Sequence, residues 1–130
     1  MRAFALVLVL CFCASAIGCA RLICDDEVNS EARSPDGVLV ATWFTRNCGA
    51  TTDYATTVNL HRRDSGFRDD AGTVFVAEGR HHLDMKWLDA QHLSIECSDC
   101  SRDQVFRTVT ILGSRDITFL LPGAESSTHQ

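Results

Sequence analysis

The sequence predicts an all-β domain: a small antiparallel sandwich or open barrel of six or seven short strands, following an N-terminal signal segment. Three observations carry this reading. From Pro35 on, stretches rich in Val, Ile, Thr, Phe and Trp recur at short intervals. Turn-forming Gly, Asp, Asn and Ser separate them. No stretch repeats its apolar residues at helical spacing.

The first element is a leader. Met1-Arg2 gives a minimal basic start, and the run from Ala3 to Ala20 carries no charge. Its residues turn small after Cys13, at Ala14, Ser15, Ala16 and Gly18, as a signal peptidase requires. Ala16-Ile17-Gly18-Cys19 resembles a bacterial lipobox, in which Cys19 is acylated and becomes the new N-terminus. Ala14-Ser15-Ala16 fits an ordinary secretory site. Uncleaved, the run is borderline as a bilayer-spanning helix, which needs ~20 apolar residues. The lipobox reading leads and makes residues 1–18 a lipoprotein-type signal peptide. All three readings put the rest of the chain outside the cytoplasm, either in a bacterial envelope, lipid-anchored and periplasm-facing, or secreted.

Residues 19–34 read as a tether, polar and mixed in charge over 25–34 (DDEVNSEARS). Residues 35–121 form the β domain, and 122–130 (PGAESSTHQ) a flexible tail. Within the domain, 38–46 (VLVATWFTR) is apolar on both faces, as in a central strand. Strands follow at 55–62, 73–77, 83–88, 93–97, 105–112 and 117–121. In 83–88, Leu83, Met85 and Trp87 alternate with Asp84 and Lys86, the pattern of a half-buried strand.

The charge balance excludes two classes of function. Twelve Lys+Arg stand against 17 Asp+Glu, a net charge of −5. A nucleic-acid partner needs a basic face, and so does electrostatic docking on anionic lipid. With 45% apolar and 22% charged residues the chain is globular rather than disordered.

Cleavage before Cys19 leaves Cys19, Cys24, Cys48, Cys97 and Cys100. Lipid on Cys19 accounts for the odd thiol, and the other four can pair in three ways. Cys24–Cys48 with Cys97–Cys100 is favoured. Cys24 stands in a polar stretch with little to bury, and Cys48 sits just past the central strand in a loop of small residues.

Candidate chemistry is sparse. Cys48, heading a Gly-Ala-Thr-Thr loop, has the form of a nucleophile beside backbone N–H groups. No His or Asp signature accompanies it, so a half-cystine is the better reading. Cys97-Ser98-Asp99-Cys100 is a CxxC. A reactive pair needs cations or a helix N-terminus to lower its thiol pKa, whereas Glu96, Asp99 and Asp103 outweigh Arg102 here, which favours a pinched turn. Zinc would need these two cysteines plus two of His61, His81, His82 and His92, and no second CxxC or H-x₃₋₅-H spacing completes the set. Neither Asp25-Asp26-Glu27 nor Asp64, Asp69 and Asp70 has calcium-loop spacing. No metal, cofactor or catalytic residue is assigned. Trp43, Phe44 and Trp87 read as core or half-core aromatics on strands, and Tyr54, in a turn, as the candidate contact residue.

Several segments taken together carry a resemblance. Ser34-Pro35-Asp36-Gly37 leads into a strand, Cys48-Gly49-Ala50-Thr51-Thr52 follows, then Val58-Asn59-Leu60, Val74-Phe75-Val76-Ala77, and Trp87 with Leu93-Ser94-Ile95. This SPDG…CGATT pattern resembles an uncharacterised family of small bacterial exported, lipoprotein-like proteins, over roughly residues 24–112. The resemblance implies a small exported domain and brings no activity and no catalytic residue. Cys97, Cys100 and the segment after Ser114 lie outside the pattern.

The expected function is a non-enzymatic envelope lipoprotein, an accessory or protein-binding domain for an unknown envelope protein. One alternative is an inhibitor of a basic hydrolase: small, acidic, disulfide-pinned and tethered domains resemble the periplasmic inhibitors of lysozyme in general design. Another is a thiol-redox or metal-binding protein that uses the CxxC.

Overall fold

The computed structural model describes residues 24–49, 51–66 and 72–122. Its framework grows from the most apolar stretch of the chain. Strand β2 (Leu39–Asn47) is buried from Val40 through Thr45, so it needs a strand on each side and cover on both faces. β1 (Asp25–Arg33) and β3 (Ala55–Arg62) flank it, both antiparallel. β4 (Thr73–Glu78) and β7 (Val105–Thr108) complete a five-stranded antiparallel sheet in the order β1-β2-β3-β4-β7. The second sheet has four strands: β5 (Asp84–Trp87), β6 (His92–Glu96), β9 (Arg115–Leu120) and β8 (Ile111–Leu112), in that order.

The two sheets share one core. Ala41, Trp43, Val58, Leu60, Val74, Phe75 and Ala77 of the first pack with Leu93, Ile95 and Ile117 of the second. Phe75 and Phe119 stack across the gap with centroids 5.8 Å apart. Burying a side chain the size of Phe75 contributes about 1.5–3 kcal/mol. The molecule is thus a sandwich, not a closed barrel.

The Ser34–Gly37 turn explains the first hairpin. Gly37 N–H donates to the Ser34 carbonyl at 2.9 Å, and Gly37 sits at φ 72°, where a side chain would be strained. Asp36 Oδ1 accepts from Ser34 Oγ at 2.5 Å and from Val38 N–H at 3.2 Å. From the other sheet, Arg115 reaches Asp36 Oδ2 at 3.2 Å. The Asp36 carboxyl is held below its ordinary range, first by the Ser34 hydroxyl and then by the Val38 amide and Arg115.

Four features differ from the sequence expectation. Residues 25–33, expected as part of a tether, form strand β1, paired with β2 along its length around a bulge between Val28 and Ser30. As an edge strand it is held by main-chain hydrogen bonds, and its mostly exposed side chains show no apolar alternation. The stretch 105–112 is two strands, because the chain changes sheets between β7 and β8. There are accordingly nine strands among the described residues, not six or seven. Finally, β6 and β9 run parallel. The chain leaves β6, adds β7 to the opposite sheet and returns, and such an excursion is what a parallel pair requires.

No helix among the described residues is long and apolar enough to cross a membrane. Residues 1–18, Cys19 and the tail beyond Pro122 lie outside the described residues.

Strand directions gather much of the chemistry at one end. The starts of β1, β3 and β7 and the ends of β2 and β4 meet there. Both disulfides, Cys24–Cys48 and Cys97–Cys100, lie at this end.

Candidate functional site

Two connections pass from one sheet to the other at the disulfide end: residues 79–83, between β4 and β5, and 97–104, between β6 and β7. Gly79 opens the first. It sits at φ 93°, and its N–H donates to the Tyr54 carbonyl at 2.6 Å. A Cβ here would come within 3.2 Å of His81 Nε2, so glycine suits both the conformation and the space. Thr56 Oγ1 donates to the Gly79 carbonyl at 2.8 Å and accepts from His81 N–H at 2.9 Å. The loop is therefore fastened to the start of β3.

Above this loop is an exposed corner. Tyr54 is 40% exposed, and the Arg80 guanidinium lies 4.0 Å above its ring centroid. Such a cation–π contact contributes about 0.5–1 kcal/mol at an exposed site. Arg80 also comes within 3.7 Å of Glu27. Beside them the Glu78 pKa is raised, first by hydrogen bonding to the Asp53 carboxyl and then by burial and the charges of Asp53 and Asp103. The corner thus joins an exposed aromatic ring to crowded carboxylates.

Tyr54 is the residue expected at a contact surface. Cys48 is bonded to Cys24 and offers no thiol, which removes the nucleophile reading. Cys97 and Cys100 are bonded to each other, 0% and 1% exposed. Of the four histidines weighed as metal partners, His81 alone meets them. A ring nitrogen of His81, the two sulfurs and an Asp99 carboxylate oxygen lie within 4.8 Å of one another, and His81 Nδ1 is 3.4 Å from Asp99 Oδ2. His61 Nε2 instead bonds Thr42 Oγ1 at 2.9 Å. His82 sets its ring edge-on to Trp43 at 5.2 Å. His92 Nδ1 lies 2.7 Å from Asp89, whose carboxyl it holds below the ordinary range.

The acidic stretches are used in ion pairs. Asp26 takes Arg46 in a two-pronged contact at 2.7 and 2.8 Å. Asp64 pairs with Arg62 at 3.2 Å, which lowers its pKa. Asp69 and Asp70 lie outside the described residues. Trp43 and Phe44 are buried as expected, and Trp87 is half-buried.

At the opposite end, a groove of about 420 Å³ opens between Gly37, Val38, Arg62, Arg63 and Asp64. Sequence reasoning did not single it out, because its walls come from the Ser34–Gly37 turn and the far end of β3, which no motif links. Likewise nothing in the sequence joins His81 to the CxxC; only the meeting of the two crossovers does so.

No known protein family, curated protein or solved structure matches this chain.

Proposed function

We propose that the chain is a non-enzymatic binding domain of the bacterial envelope, tethered by lipid on Cys19, which docks a basic protein through the Tyr54–Arg80 corner. The observation that carries this reading is the juxtaposition of an exposed tyrosine, held under Arg80, with the Asp53–Glu78 carboxyl pair. Tyrosine is a frequent anchor of protein interfaces because it buries a large area at small entropic loss. Crowded carboxylates repel one another until a cation arrives, so a partner's Lys or Arg gains by docking here. The net charge of −5 steers a basic partner toward the domain over longer range. An inhibitor of a basic hydrolase, such as a lysozyme, is the form of this reading that the same carboxylates favour. Two disulfides suit an oxidising compartment outside the cytoplasm.

The test is capture from envelope extract at low salt by the full exported chain, in parallel with Tyr54→Ala and Asp53→Asn/Glu78→Gln variants. The wild-type chain should retain basic proteins that high salt releases, and both variants should retain markedly less. Equal capture by the variants, or retention without any bias toward basic proteins, would contradict the reading.

A further inference from the structure

We infer that, when Cys97 and Cys100 are thiols, the His81 corner is a four-ligand Zn²⁺ site, made by His81 Nδ1, an Asp99 carboxylate oxygen and the two sulfurs. The disulfide and the metal are alternative occupants of one place. The inference is independent of the contact surface proposed above.

The orientation of His81 is its foundation. His81 Nε2 lies 2.6 Å from the Glu78 carbonyl. A carbonyl only accepts, so Nε2 carries the proton. The neutral ring therefore presents a bare lone pair at Nδ1. That atom is buried and has no hydrogen-bond partner, on a side chain only 8% exposed. A buried acceptor left unmatched is unfavourable. The nearest acidic oxygen, Asp99 Oδ2, lies 3.4 Å away, and a carboxylate only accepts, so it brings Nδ1 no hydrogen. A backbone carbonyl accepting the far N–H is also how metal-bound histidines are held in their tautomer. Thr56 Oγ1, accepting from His81 N–H at 2.9 Å, fixes the backbone behind it.

The other ligands converge on the same point. All four donor groups lie within 4.8 Å of one another. Asp99 Oδ1 stands 3.4 Å from Cys97 Sγ, which has no proton to offer while bonded to Cys100. One carboxylate oxygen thus stands against sulfur and the other against the histidine nitrogen, with no hydrogen between either pair, and a cation satisfies all of them together. In a tetrahedral zinc site two thiolates sit about 3.8 Å apart, from Zn–S bonds of about 2.3 Å. The CxxC spacing permits that separation by side-chain rotation within the turn. Two sulfurs, one imidazole and one carboxylate suit Zn²⁺ better than the oxygen-seeking Mg²⁺ or Ca²⁺. Asp99, 53% exposed on its side chain, leaves a route in from solvent.

The chemistry balances in both directions. A newly made chain carries two thiols, and Zn²⁺ binding releases their two protons to solvent. From the disulfide, a dithiol reductant supplies two electrons and two protons and becomes a disulfide itself. In reverse, a disulfide oxidant takes two electrons from the thiolates and two protons from solvent and becomes a dithiol, the Cys97–Cys100 bond forms and Zn²⁺ leaves. In either state the crossover from β6 to β7 stays pinned.

The test uses the full exported chain, reduced with a phosphine under anaerobic conditions and titrated with Co²⁺ and then Zn²⁺. A single Co²⁺ should bind with the intense visible bands of tetrahedral geometry and a thiolate charge-transfer band, and Zn²⁺ should displace it. The oxidised chain should show neither band. His81→Ala and Asp99→Asn should each weaken Co²⁺ binding at least about tenfold, while Cys24→Ser/Cys48→Ser should keep the tetrahedral spectrum. Circular dichroism with and without metal reports folding in every arm. Metal-free absorbance, an octahedral spectrum from the reduced wild-type chain, or equal binding by His81→Ala would overturn the inference.

Discussion

The Trp87 indole N–H donates to the Ala32 carbonyl at 3.0 Å, joining the edge strand β5 of one sheet to the edge strand β1 of the other. The bond closes one side of the sandwich and occupies a main-chain group that an edge strand otherwise leaves open. Trp87→Phe keeps most of the buried ring and removes the donor. The expected loss is about 1 kcal/mol. Urea unfolding should show a lower midpoint with an unchanged slope. An unchanged midpoint would mean the bond contributes nothing.

The Cys24–Cys48 bond holds the other end of the same edge strand. Its bridge spans a sequence separation of 24. In the chain-entropy model a loop of this size contributes about 3.5 kcal/mol. Cys24→Ser/Cys48→Ser should lose a comparable amount, and hydrogen exchange in β1 should speed up before that in β3 or β6. Non-reducing peptide mapping should recover Cys24 with Cys48. A Cys48–Cys97 or Cys48–Cys100 linkage would refute the pairing.

Acid and neutral pH should act oppositely on two carboxyls. Glu78 has a raised pKa, caused first by its bond to Asp53. Its favourable contribution is complete below the ordinary value of 4.5 and fades as pH rises through the folded value. Glu78→Gln should therefore raise the melting temperature relative to wild type at neutral pH and lose that advantage near pH 4. Differential scanning calorimetry across this range checks the sign.

Asp36 runs the other way. Its pKa is lowered, first by the Ser34 hydroxyl, so its contribution is present above the ordinary 3.8 and is lost as pH falls through the folded value. Asp36→Asn should lower the melting temperature at neutral pH, and the gap to wild type should narrow in strong acid. A gap independent of pH would assign the effect to shape rather than charge.

What could be read from the sequence depended on how each element is held. β2 and β3 carry dense apolar and β-branched runs, so their positions follow from composition, and β3 begins and ends where the sequence places it. β1 is held by main-chain bonds at an edge, so its charged residues carry no periodic signal. The break between β7 and β8 is a change of sheet, a tertiary event without local signature. The exposure of Tyr54 was legible from its turn, but its stacking under Arg80 needs the register of β3 and β4, which places Ala55 opposite Glu78. The same pairing sets Gly79 and His81 beside Thr56, which is why the histidine near the CxxC could not be singled out from four candidates.

The proposed contact corner is tested most directly by amide chemical-shift mapping of the ¹⁵N-labelled chain, titrated with a purified basic protein retained in the proposed capture experiment. The account predicts the largest shifts at Asp53, Tyr54, Glu78 and Arg80, reduced by added salt. Shifts centred on the groove between Gly37, Arg62 and Arg63 at the opposite end, with the Tyr54 corner unmoved, would contradict it.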